Sequence, residues 1–71
     1  MNEIIEGLNQ YGNVDATRAA LLSLTWQQLT KLIMVERHDG RFGDDLLVAM
    51  GSLPEKTRRT CSNLVKSGIV R

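Results

Sequence analysis

The residues of this chain best suited to chemistry lie in LPEKTRRTCSNLVKSGIVR, Leu53 to Arg71. Lys56, Arg58, Arg59, Lys66 and Arg71 follow Glu55 with no further acid among them. Such side chains donate hydrogen bonds and carry positive charge, which matches phosphate oxygens. At about 100° per residue of helix, Arg59, Ser62, Asn63 and Lys66 fall on one side, flanked by Lys56 and Arg58. Thr57, Cys61, Leu64 and Val65 fall on the other side, suited to packing. Arginine can clamp guanine O6 and N7 and asparagine the adenine edge, while lysine, threonine and serine hold phosphates. A helix N-terminus adds its own attraction for phosphate. Glu55 opposes phosphate at that end, although it could accept from cytosine. The expected DNA-contacting set is Lys56, Thr57, Arg58, Arg59, Ser62, Asn63, Lys66 and Arg71. The competing expectation is a basic face that is merely solvated.

The other reactive side chains offer less. Glu36-Arg37-His38-Asp39-Gly40-Arg41, with Asp44 and Asp45 nearby, is the only gathering of histidine and carboxylates. Acid–base or metal chemistry would need them to converge. A plainer reading makes Asp39-Gly40 a turn, Asp44 or Asp45 a helix cap, and His38 a solvated side chain. Cys61 is the single cysteine, so an internal disulfide or a zinc cluster of cysteines is excluded. It reads as a small buried hydrophobe. No phosphate-cradling glycine loop is present. The expectation is a protein that is not an enzyme and carries no cofactor and no metal.

Those residues must be positioned by short helices. With 71 residues the chain suits one domain, 1–71, whose modest core would benefit from a dimer partner. Its 42% apolar and 24% charged residues fit a globular protein rather than a disordered one. Tyr11, Trp26 and Phe42 are the only aromatics, so the core must be mostly aliphatic. Apolar runs such as Leu32 to Val35 are far too short to cross a membrane. The opening MNEIIEG is acidic, unlike a secretory signal. The expectation is a soluble, cytoplasmic protein with no membrane partner.

Apolar spacing is helical between glycines. Ile4, Ile5 and Leu8 mark a first helix closing near Tyr11-Gly12, and Asp15 is the expected N-cap of a second, ATRAALLS. Thr25 and Gln28 make a capping box, with Leu24 and Leu29 placed for a hydrophobic staple. Trp26, Leu29, Leu32 and Ile33 carry that third helix to about Glu36, and RHDGRFGDD reads as a loop. Asp44 or Asp45 is expected to cap a fourth helix, DLLVAMG. Pro54 fits the first turn of a fifth, 54–67, and Gly68 the left-handed position after it. Ile69-Val70 are expected to begin a strand. The fold class is all-α, a compact bundle of about five short helices containing helix-turn-helix units, with little or no sheet.

Two segments share a helix–tight turn–helix layout. GNVDATRAALLSLTWQQLTKLI, residues 12–33, resembles the Fis-type helix-turn-helix through Gly12-Asn13, Thr17, Ala19-Ala20, Leu21, Leu29 and Leu32. Ser23 stands where that family has a turn glycine, and Lys31 is the one cation of the second helix. The resemblance implies that this second helix enters the major groove, where Gln27 or Gln28 could read adenine. Residues 44–71 resemble a winged helix-turn-helix of bacterial and phage regulators through Thr57, Arg58, Arg59, Leu64, Gly68, Ile69 and Val70. That family goes on into a hairpin wing, and the pattern here runs to Arg71 without it. This resemblance implies that helix 54–67 is the recognition element.

Charge decides between the halves. Residues 1–36 carry Arg18 and Lys31 against Glu3, Glu6, Asp15 and Glu36, whereas residues 37–71 carry seven basic residues against four acids. The expected function is a small sequence-specific DNA-binding protein using helix 54–67. It would be a transcriptional regulator of phage, plasmid or bacterial origin, bound to double-stranded DNA as a homodimer on a two-fold site. The alternative is a helical protein-interaction module, an inhibitor or adaptor of a bacterial protein, with no DNA binding. It would grip its partner through the acidic, Trp-bearing residues 1–36.

Overall fold

In the computed structural model, which describes residues 2–70, the chain is an all-α bundle: α1 (Asn2–Leu8), α2 (Val14–Leu22), α3 (Trp26–Val35), α4 (Asp44–Gly51) and α5 (Glu55–Lys66). Isolated helices shorter than about 12–15 residues are marginal in water. Burial of one face of each helix therefore has to hold them. Ile5 and Leu8 of α1, Leu21 of α2, and Leu29 and Leu32 of α3 meet Leu46, Ala49 and Met50 of α4 and Cys61 of α5 in one cluster. The core is aliphatic as expected, with Phe42 from the loop before α4 as its single aromatic.

The second half repeats the first at a spacing of 29 residues, from Ser23 to Ser52. Ser23-Leu24-Thr25 separates α2 from α3, and Ser52-Leu53-Pro54 separates α4 from α5. Leu21 and Met50 are fully buried at matching positions, as are Leu32 and Cys61. The two units pack like on like. α2 lies against α4, α3 lies against α5, and α1 adds itself to α2.

Helix ends follow local hydrogen bonding. The capping box of α3 is formed: the Gln28 amide donates to Thr25 Oγ1, and the Thr25 amide to Gln28 Oε1, both at 3.1 Å. Asn13, not Asp15, caps α2 by accepting from the Ala16 amide at 2.7 Å. Asp15 instead lies in the first turn, 3.1 Å from Arg18 Nη1. Gly43, not an aspartate, is the N-cap of α4, and Asp44 and Asp45 fall in the first turn, where carboxylates favour the positive helix end. Pro54 takes the cap position of α5, one residue before the helix proper.

Past α5 the Ile69 amide donates to Leu64 O and the Gly68 amide to Val65 O, a Schellman motif. Gly68 supplies the left-handed turn with φ of 77°. The expected strand at Ile69-Val70 does not form, and no strand occurs among the described residues. The Schellman turn folds the chain back, and Val70 ends up 2% exposed in the interior.

The loop before α4 is tied down by Asn9. Its Nδ2 donates to Arg41 O at 2.7 Å, and its Oδ1 accepts from the Gly43 amide at 2.8 Å. One amide thus brackets Phe42 and holds the ring inward. A Cβ at position 43 would sit 2.9 Å from Asn9 Oδ1, so the tie requires glycine there.

Candidate nucleic-acid interface

α5 is amphipathic because its apolar residues recur one turn apart. Thr57 and Cys61 are buried and Leu64 half-buried, which fixes the rotation of the helix against α3. Lys56, Arg59, Asn63 and Lys66 are exposed on the side away from that packing, and Ser62 is exposed at its edge, beside the groove between α3 and α5. Together they span an arc of about 120° and a length of about 15 Å along the helix. All five can donate to phosphate or to a base edge, and Ser62 and Asn63 can also accept.

Two expected DNA-contacting residues, Thr57 and Arg58, fall outside this stripe. Thr57 points into the core, 9% exposed, because it belongs to the packing face. Arg58 is half-buried and donates through Nη2 to the carbonyl of Met50 in the last turn of α4. There it serves as a cationic C-cap. Ser52 completes this corner: its hydroxyl donates to Ala49 O at 3.0 Å and accepts from Arg18 Nε at 3.0 Å. The α4–α5 turn is thereby stitched to α2, which sets the angle at which α5 is presented. Arg71 lies outside the described residues.

Within the stripe, Glu55 approaches Arg59 Nη2 at 3.1 Å, with both side chains largely exposed. A pair in that setting is worth little to stability. A carboxylate beside Arg59 competes with any anion brought to this end of α5.

α3 offers less. Gln28 is occupied in its capping box, so only Gln27 and Lys31 present exposed polar groups. The exposed side of the first unit is partly apolar, with Leu22 and Trp26 about half exposed.

The histidine–carboxylate loop does not converge. Among the described residues no three His, Cys, Asp or Glu side chains gather as a metal site would need, and His38 is exposed. Asp39 is instead held by Arg41, which donates from Nη2 at 2.7 Å, from Nε at 3.0 Å and from its own amide at 3.0 Å. These hydrogen bonds lower the Asp39 carboxyl from 3.8 to about 2, and the same side-chain bond raises the Arg41 guanidinium. An NMR titration should therefore find Asp39 ionising at about pH 2. Since its folded value lies below the unfolded one, its contribution to stability is complete above about pH 4 and vanishes as pH falls through about 2. Asp39→Asn should remove that dependence from acid-unfolding curves. An Asp39 that titrates at its ordinary value would mean the clamp is absent in solution.

A scan of family models matched nothing to this chain, and searches of curated proteins and of solved structures likewise found no match.

Proposed function

We propose that the chain is a small sequence-specific DNA-binding protein, a transcriptional regulator of phage, plasmid or bacterial type, that places α5 in the major groove. One observation carries this reading: Lys56, Arg59, Ser62, Asn63 and Lys66 form an exposed stripe that a stitched corner holds clear of the core. Lys56, Arg59 and Lys66 supply charge for the phosphates, and Asn63 and Arg59 are the residue types that read adenine and guanine. Arg58 is left out of the DNA-binding set because it lies off the exposed stripe, half-buried beside the end of α4. A stripe of about 15 Å reads little more than one groove face. A homodimer on a two-fold site, with half-sites about 34 Å apart, supplies the missing affinity.

The test is a mobility shift of mixed-sequence duplex DNA at two salt concentrations. Three cations from each protomer of a dimer give a slope of about −5 in log K against log salt. Binding should fall about a thousandfold between roughly 50 and 200 mM salt. Absence of any duplex binding at the lower salt overturns the proposal.

The half-exposed Leu22 and Trp26 on the acidic half favour a second reading, a helical protein-interaction module acting through residues 1–36. It predicts a stable complex that survives high salt and is lost in Trp26→Ser.

A further inference from the structure

We propose that the groove between α3 and α5 binds a small amphipathic carboxylate. α5 contributes Arg58, Cys61, Ser62 and Val65, one full face at i, i+3, i+4 and i+7, and α3 contributes Thr30 and Ile33. The groove is open to solvent and offers about 310 Å³, at the small end of the range for pockets that take small molecules. Its deepest walls, Thr30 and Cys61, are buried, while Val65 remains 39% exposed and would be covered by an occupant.

The ligand chemistry follows from the polar groups. Thr30 already donates its hydroxyl proton to Trp26 O at 2.7 Å. That leaves Arg58 and Ser62 as the lining residues with donors to spare, and no carboxylate lines the groove. Glu55, the one acid of α5, is turned to Arg59. Arg58 uses one N–H on Met50 O, which holds the guanidinium in place and leaves other donors of its five free. An anion relieves the half-buried charge, whereas a neutral occupant strips water from it without replacement. Ile33 and Val65 call for an apolar body. From Arg58 to Val65 the helix advances about 10 Å, the length of a medium-chain acid rather than of a docked helix.

The experiment titrates the full ¹⁵N-labelled chain with octanoate and follows backbone amide shifts, with 1-octanol and acetate as controls. Octanoate should bind saturably, with the largest shifts at Thr30, Ile33, Arg58, Cys61, Ser62 and Val65. Octanol should bind about fivefold or more weakly, since it lacks the charge-assisted hydrogen bond to Arg58, and acetate should cause no localised shifts. Val65→Asp, at an exposed position, should keep native helicity by circular dichroism and lose octanoate binding. Equal affinity for octanol, shifts centred on Leu22 and Trp26, no saturation, or unchanged binding by a folded Val65→Asp would each overturn the proposal. No DNA enters this test, so its failure and that of the DNA-binding proposal are distinguishable.

Discussion

Leu46→Ala is expected to bring the protein close to unfolding at ambient temperature. A domain of 71 residues has a net stability of only about 4–11 kcal/mol. Truncating a fully buried leucine costs about 2–5 kcal/mol, the larger figures applying where the cavity cannot collapse. Leu46 is 0% exposed on α4, an eight-residue helix whose N-cap makes no side-chain hydrogen bond. That helix keeps its shape through Leu46, Ala49 and Met50 packed into the shared core, with α2 as its main neighbour. Val48→Ala on the same helix is the control. At 57% exposure it should change stability by no more than about 0.5 kcal/mol. Urea unfolding followed by circular dichroism measures both. Equal effects of the two substitutions would mean that α4 turns a different face to the core.

What was legible in the sequence was what local chemistry decides. Thr25 and Gln28 announced a helix start because a capping box needs only a short run of consecutive residues, and it forms. Gly68 announced a stop for the same reason. Asp15 and the pair Asp44-Asp45 misled because an aspartate serves equally as a cap or in the first turn. The choice fell to Asn13 in one case and, in the other, to a loop pinned by Asn9 from 34 residues away. Ile69-Val70 read as strand from β-branched side chains, but an isolated strand has nothing to pair with, while an apolar side chain folded back by a Schellman turn finds the core. The candidate site divided in the same way. The periodicity of α5 separated its outer stripe from Cys61 and Leu64. The capture of Arg58 by Met50 O depends on where α4 ends in space, which no spacing rule encodes. The 29-residue repeat was visible only as two similar layouts, because residue type survives mainly around the turn, at Ala20 and Ala49, Ser23 and Ser52, and Leu24 and Leu53, while Leu21 corresponds to Met50 and Leu32 to Cys61.

Neutralising the outer stripe of α5 should abolish duplex binding while leaving the fold intact, and one substitution in the same stripe should do the reverse. Lys56→Ala, Arg59→Ala and Lys66→Ala replace exposed side chains, so none should lower stability by more than about 0.5 kcal/mol. Removing one phosphate-binding cation reduces the salt slope by about 0.9 per protomer, so the triple variant should show almost no salt-dependent binding. Glu55→Gln removes the carboxylate that lies 3.1 Å from Arg59, and it should tighten binding and steepen the salt dependence. Asn63→Ala behaves differently if Asn63 meets a base: affinity for the preferred site falls by about 1–3 kcal/mol while binding to mixed sequence is unchanged. A basic face that is merely solvated cannot yield that pattern, in which the cations set the salt slope, Glu55 works against it, and Asn63 alters sequence preference alone. Triple-variant binding equal to that of the native chain would remove α5 as the recognition helix and leave Gln27 and Lys31 of α3 as the exposed polar groups of the other helix-turn-helix unit.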